Sequence, residues 1–165
     1  MGGWYCPAVP EIVNTTDRRL QMAGLIENVE EVVLAVENQD EVVALFEDLF
    51  DLEFKDSWTV PADDMAVRCA HIGDTMFHIV SSMTEDAVIG RFIKDRGEGV
   101  HHIAFRVRDM DEIVTRLRQK GVRLVPDEPI SFGPSGPAYI FVHPRSLHGI
   151  MIELIWPGKH EMSDG

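Results

Sequence analysis

Glu31-Val32-Val33-Leu34-Ala35-Val36-Glu37-Asn38-Gln39-Asp40-Glu41-Val42-Val43 and His102-Ile103-Ala104-Phe105-Arg106-Val107-Arg108-Asp109-Met110-Asp111-Glu112-Ile113-Val114 are one pattern written twice, 71 residues apart. Each copy is a short apolar strand, then a helix opening on Asp-Glu-(Val/Ile)-Val. A second pair follows at a slightly longer offset: Met76-Phe77-His78-Ile79-Val80 returns as Met151-Ile152-Glu153-Leu154-Ile155. A fold built twice sets equivalent positions around a shared pseudo-twofold axis. The polar residues that interrupt the matched strands are Glu31, His78, His102 and Glu153, and all four can ligate a metal ion.

Working outward, the first copy predicts strand Glu31–Val36 and helix Asp40–Phe50, whose Val42, Val43, Leu45, Phe46, Leu49 and Phe50 keep helical spacing. Strands follow near Glu53–Val60, Met65–His71 and Thr75–Ser81, with Gly73-Asp74 as the hairpin between the last two. Glu85–Arg96 reads as a connecting helix closed by Gly97 and Gly99. The second copy predicts strand Val100–Val107, helix Asp111–Lys120 capped by Gly121, and strands near Arg123–Pro126, Ala138–His143 and Gly149–Ile155. The expected fold is α+β, two tandem βαβββ modules (25–83 and 97–156) that form a cupped mixed sheet. Residues 1–24 are an expected extension and 157–165 a tail. Gly133-Pro134-Ser135-Gly136-Pro137 reads as a flexible lip over the trough, the usual place for a small-molecule site.

Composition narrows the function. At 165 residues with 45% hydrophobic content, the chain can bury a core. A net charge of −13 argues against nucleic-acid or anionic-membrane partners. No apolar run reaches the ~20 residues that span a bilayer, and Met1–Cys6 carries no export signal. A cytoplasmic protein with reduced Cys6 and Cys69 is expected. Ten of the 15 Lys and Arg lie between Arg91 and Arg145. They form either a solvated mixed-charge surface or a local patch for an anionic small molecule.

His78 and Glu153 sit inside apolar strand runs, where an unpaired polar group is costly. A solitary Glu on a strand ordinarily faces solvent, and a solitary His is ordinarily a satisfied core or surface residue. Four at paired positions point to a divalent metal among Co, Mn, Fe, Ni and Zn. Alternation sends His101 to the face opposite His102, in a structural or supporting role. His143-Pro144-Arg145-Ser146 is either a turn or an anion clamp, with His143 and Arg145 as weak substrate-binding candidates. No Gly-rich phosphate loop, Gly-x-Ser-x-Gly elbow or Cys-x-x-Cys pair is present.

Gly97-Glu98-Gly99-Val100-His101-His102-Ile103-Ala104-Phe105-Arg106-Val107 resembles the second-module opening of the vicinal oxygen chelate (glyoxalase/bleomycin resistance/dioxygenase) superfamily, and within it the methylmalonyl-CoA epimerases. Helix Asp111–Lys120, Gly121-Val122-Arg123-Leu124, Asp127-Glu128-Pro129, Phe141–Ser146 and Gly149–Leu154 extend the likeness, which spans about 27–156. The resemblance implies a metal site on the first and last strands of both modules, with His102 and Glu153 as ligands and Glu153 also as base. Glu31 falls where the epimerases carry a His, and His78 where they carry a Gln or Glu. The family's second acid/base has no clean match; Asp63, Asp64 and Arg68 occupy its neighbourhood.

The expected activity is metal-dependent enolisation of an acyl-CoA thioester, an epimerase-like 1,1-proton transfer by a homodimer. Alternatives are a glyoxalase-like isomerase or lyase, a non-haem Fe(II) dioxygenase using His78, His102 and Glu153, or a metal-free small-molecule binding protein.

Overall fold

The structure, a computed structural model, describes residues 24–133 and 136–158. The expected N-terminal extension with Cys6, the middle of the 133–137 turn and the tail from 159 fall outside them. Two copies of one βαβββ unit follow in chain order. The first is β1 (Ile26–Ala35), α1 (Gln39–Phe50), β2 (Asp56–Val60), β3 (Met65–Ile72) and β4 (Thr75–Ser82). Helix α2 (Val88–Arg96) links it to β5 (Gly99–Val107), α3 (Met110–Gln119), β6 (Leu124–Ser131), β7 (Ala138–Val142) and β8 (Ile152–Trp156).

All eight strands join one mixed sheet in the order β2-β3-β4-β1-β5-β8-β7-β6. The opening strands of the two units, β1 and β5, pair antiparallel at its centre. Each unit's last strand runs parallel to its first, β4 beside β1 and β8 beside β5. No helix among the described residues is long and apolar enough to cross a membrane.

The repeat reaches down to the helix caps. Asn38 caps α1 by accepting from the Glu41 amide at 3.2 Å, and Asp109 caps α3 by accepting from the Glu112 amide at 2.8 Å. Each cap satisfies an amide that the helix itself cannot. Helices α1 and α3 cover one face of the sheet. There Val43 packs on Val36 and Ile79, and Met110, Ile113 and Val114 pack on Val107, Ile140 and Leu154. Alternation sends Glu31, Val33 and Ala35 to the other face. Helix α2 lies on that second face, with Ile89 against Val33, Ala35 and Val80.

Strand bounds shift in informative places. β1 begins five residues before Glu31, so Glu31 lies in the strand interior and does not open it; His102 is likewise inside β5. Three register shifts interrupt the β1–β5 pairing. One lies at the start of β1, between Ile26 and Asn28; the second leaves Glu30 unpaired between Val29 and Glu31, and the third skips His101 between Val100 and His102. Each bulge adds a residue and re-aims its neighbours.

Candidate metal centre

The site lies where the central strands β1 and β5 meet β4 and β8. Val33 pairs with His102 across the antiparallel junction and with His78 on the parallel side. Ala104 sits between Glu31 and Glu153 in register. With no side chain beyond Cβ, Ala104 leaves the two acids facing each other over an open position.

Ligand atoms of Glu31, His102 and Glu153 all lie within 4.8 Å of one another. His102 Nε2 is 2.9 Å from Glu153 Oε2. The Phe141 ring meets His102 edge-on at 5.5 Å, which fixes the imidazole plane. His78 stands one contact away: its Nδ1 is 3.5 Å from Glu31 Oε2, and it falls outside the mutual triad. Its ring packs edge-on against Trp58 at 5.3 Å. Buried His78 Nε2 has no hydrogen-bond partner among the described residues. The four residues of the symmetric expectation are thus neighbours: three have ligand atoms within mutual reach, and His78 adjoins them through Glu31.

The electrostatics show a site short of positive charge. Burial, then the Glu153 charge, then Glu30 push the Glu31 carboxyl up to about 7. Burial, then the nearby His102 and His71, push His78 down to about 4. Two carboxylates and an imidazole crowded in a half-buried trough suit a divalent cation, which would offset the burial and the like charge that push Glu31 up. The donor set therefore fits a metal ion, and Glu31, His102 and Glu153 form a triad able to hold one.

Two findings revise the alternation argument. His101 does not face away from His102: their Nδ1 atoms lie 2.7 Å apart. The bulge at His101 breaks strict alternation, so both rings reach the same neighbourhood. Glu30, adjacent to Glu31, is buried and takes Arg106 in a bidentate pair, 2.6 Å from Nε to Oε2 and 2.5 Å from Nη2 to Oε1. Sequence reasoning assigned Glu30 no role. Two consecutive acids in an apolar strand were its only signal, and that signal becomes legible once a bulge is admitted.

At the β7–β8 connection, His143 Nδ1 accepts from the Arg145 amide at 3.1 Å and caps the short turn Pro144–Ser146. The turn reading accounts for this contact. His143 also lies among cations: partial burial, then Arg123 and Arg145, lower its pKa. Across the sheet, burial, then Glu153, then Asp63 raise the Tyr139 hydroxyl's pKa.

A sheet that is duplicated about its central strands, with acid and imidazole donors gathered at the seam, defines a class of paired-βαβββ proteins that work on small molecules inside the cup. Residues 30–141 match the Glyoxalase/Bleomycin resistance protein/Dioxygenase superfamily, and the chain belongs to it. Human mitochondrial methylmalonyl-CoA epimerase is 25% identical over 124 residues, covering 74% of this chain and 70% of that protein. The Mycobacterium tuberculosis methylmalonyl-CoA epimerase structure superposes with a TM-score of 0.72 at 25% identity, over 83% of this chain and 92% of that one. A Streptomyces coelicolor methylmalonyl-CoA epimerase variant in complex with 2-nitronate-propionyl-CoA superposes at 0.70 with 27% identity, over 79% and 94%.

Proposed function

We propose that this protein is an acyl-CoA epimerase that moves the proton on the carbon between the thioester and carboxylate of methylmalonyl-CoA. The observation that carries this reading is the convergence of Glu31, His102 and Glu153 at the seam of the two modules. The kinship to epimerases, one seen with an acyl-CoA ligand, supports the substrate class.

Glu31, His102 and Glu153 would hold the divalent ion (Co, Mn, Fe, Ni or Zn). When bound, that ion supplies Lewis acidity that stabilises enolate charge. Glu153 takes the proton from one face of the carbon. Inversion needs delivery from the opposite face. Of the residues in the neighbourhood of the family's second acid/base, we assign that delivery to Asp63, the first-module carboxyl that lies two residues before β3. The edge-on Phe141 ring holds the His102 imidazole in place. Arg123, His143 and Arg145 form a cationic corner suited to the phosphates of the CoA tail. The exposed edge strands β2 and β6 are surfaces through which a homodimer would form.

The triad contains one histidine and two carboxylates, so nothing in its geometry favours the dioxygenase alternative, which needs His78 in the set. The test incubates metal-loaded protein with methylmalonyl-CoA in heavy water and follows the substrate's α-proton by NMR. Deuterium enters if the reading holds. A metal-loaded protein that leaves the proton in place would falsify it.

A further inference from the structure

His101 and His102 are consecutive, yet the bulge in β5 turns their rings together, with Nδ1 facing Nδ1 at 2.7 Å and ring planes 76° apart. Two facing Nδ1 atoms share one proton, so one donates and the other accepts. The other side of His102 decides which. Its Nε2 is 2.9 Å from Glu153 Oε2, and a carboxylate only accepts. Nε2 therefore carries the His102 proton, His102 Nδ1 is the acceptor, and His101 Nδ1 is the donor. Coordination through His102 Nε2 requires that nitrogen's lone pair, which confines the ring proton to Nδ1. The two arrangements impose opposite directions on one hydrogen bond.

We propose that the His101–His102 hydrogen bond reverses when a divalent cation takes His102, so that His101 is a positioning residue serving both states of the site. Without the ion, His101 donates and holds His102 toward Glu153. With the ion, His101 accepts the Nδ1 proton of His102 and fixes the ring for coordination. This rests on the reading of His102 as a ligand. The protons balance within the pair. His102 moves its proton from Nε2 to Nδ1, His101 moves its own from Nδ1 to Nε2, and the pair neither gains nor loses one. His101 and His102 border a cavity of about 440 Å³ with Phe92, Arg96 and Gly149, through which water can carry the exchange. The edge-on contact of Phe92 with His101, 4.9 Å between centroids, keeps the His101 ring in place while its protons move.

Nitrogen-15 NMR of histidine-labelled protein reads this directly, metal-free and with zinc. The expected result is a change of His101 from the Nδ1–H to the Nε2–H tautomer as the His102 Nε2 resonance takes a coordinated shift. Coordinated His102 with an unchanged His101 tautomer overturns the inference and leaves the proposed function standing. Zinc that never engages His102 Nε2 removes both. Two variants add a second readout by zinc titration calorimetry. His101→Phe keeps the packing on Phe92 and loses the bond, so zinc affinity should fall about 10–100-fold. His101→Asn sets an amide near the Nδ1 position that can donate or accept, and it should recover part of that loss. Wild-type zinc affinity in His101→Phe also overturns the inference.

Discussion

The two modules share a topology and divide the labour. In the second, His102 and Glu153 touch at 2.9 Å, Phe141 braces the ring, and His101 backs it. In the first, Glu31 and His78 stand 3.5 Å apart, and His78 Nε2 has no hydrogen-bond partner among the described residues. The supporting packing differs in the same sense. Helix α3 buries Met110, Ile113 and Val114, whereas α1 buries Val43 alone and leaves Leu45, Leu49 and Phe50 exposed. At the position equivalent to Met110 the first module has Gln39, whose amide bridges the Ala66 and Ile79 carbonyls of β3 and β4 at 3.1 and 2.7 Å. A polar bridge does there what apolar burial does in the second copy. The two copies give matching scaffolds; the second holds its donors over the larger core, and the first holds Glu31, the carboxyl that burial and the Glu153 charge push up.

The largest test of that division sets Glu153→Gln against Glu31→Gln. Loss of the proposed base should slow α-proton exchange by about 10²–10⁴-fold, with circular dichroism and thermal unfolding unchanged in form. Glu31→Gln removes a charge from the ion but no proton-transfer group, so its exchange rate should recover as metal concentration is raised, while that of Glu153→Gln should not. Equal recovery in both variants breaks the comparison.

Packing gives the next effect. Ile140 is fully buried under α3, whereas Leu49 on α1 is 60% exposed. Ile140→Ala should cost about 2–5 kcal/mol through lost burial and a residual cavity. Leu49→Ala should stay within about 0.5 kcal/mol. Urea unfolding measures both, and a comparable loss for Leu49 would mean that another surface covers α1.

Acidity is the third. The folded pKa of Glu31, about 7, lies above its ordinary 4.5. The stability this proton contributes to the metal-free fold is therefore complete below 4.5 and lost as pH rises through about 7. His78 and His101, lowered from 6.5 to about 4, act oppositely: their contribution is present above 6.5 and lost as pH falls through about 4. In metal-free Glu31→Gln the decline between about pH 4.5 and 7 should vanish and the acid-side loss from the histidines should remain. Metal must displace the same proton. Wild-type metal affinity should thus fall about tenfold per pH unit below 7, and in Glu31→Gln that component should be missing.

Much of this was legible in the sequence, for a physical reason. The repeat of apolar period and cap residues carries the topology, because Asn38 and Asp109 must each satisfy a helix N-terminus and each strand must alternate. The pairing of Glu31, His102 and Glu153 follows from equivalent positions in equivalent strands. What alternation missed are the bulges at Glu30 and His101. A bulge depends on how many residues the partner strand sets opposite, and neither strand alone encodes that count. So Glu30 received no role beside Arg106, and His101 was sent to the wrong face. His78 and Glu153 hold equivalent registers, opposite Val33 and Ala104, so backbone equivalence was legible; what was not is the side-chain setting, with the His78 ring packed edge-on against Trp58.

The helix ends bring the comparison down to a single residue. Both α1 and α3 stop on a left-handed residue, Asp51 at φ 54° and Gly121 at φ 72°. The second module ends in a Schellman pair, Gly121 N–H to the Arg118 carbonyl at 2.9 Å and Val122 N–H to the Leu117 carbonyl at 3.0 Å. The first has one bond, Asp51 N–H to the Glu47 carbonyl at 3.1 Å. A side chain in this conformation costs about 1–2 kcal/mol relative to the right-handed helix, although Asp tolerates it better than most residues. Glycine avoids that strain but frees the unfolded chain, an opposing effect of about 0.4–1 kcal/mol. Asp51→Gly should therefore stabilise the protein by about 0.5 kcal/mol, read as a small rise in urea midpoint at constant slope, and Gly121→Asp should destabilise it. If Asp51→Gly instead lowers the midpoint, the aspartate does more at that cap than occupy a strained angle, and the first module's helix end is not simply the weaker of the two.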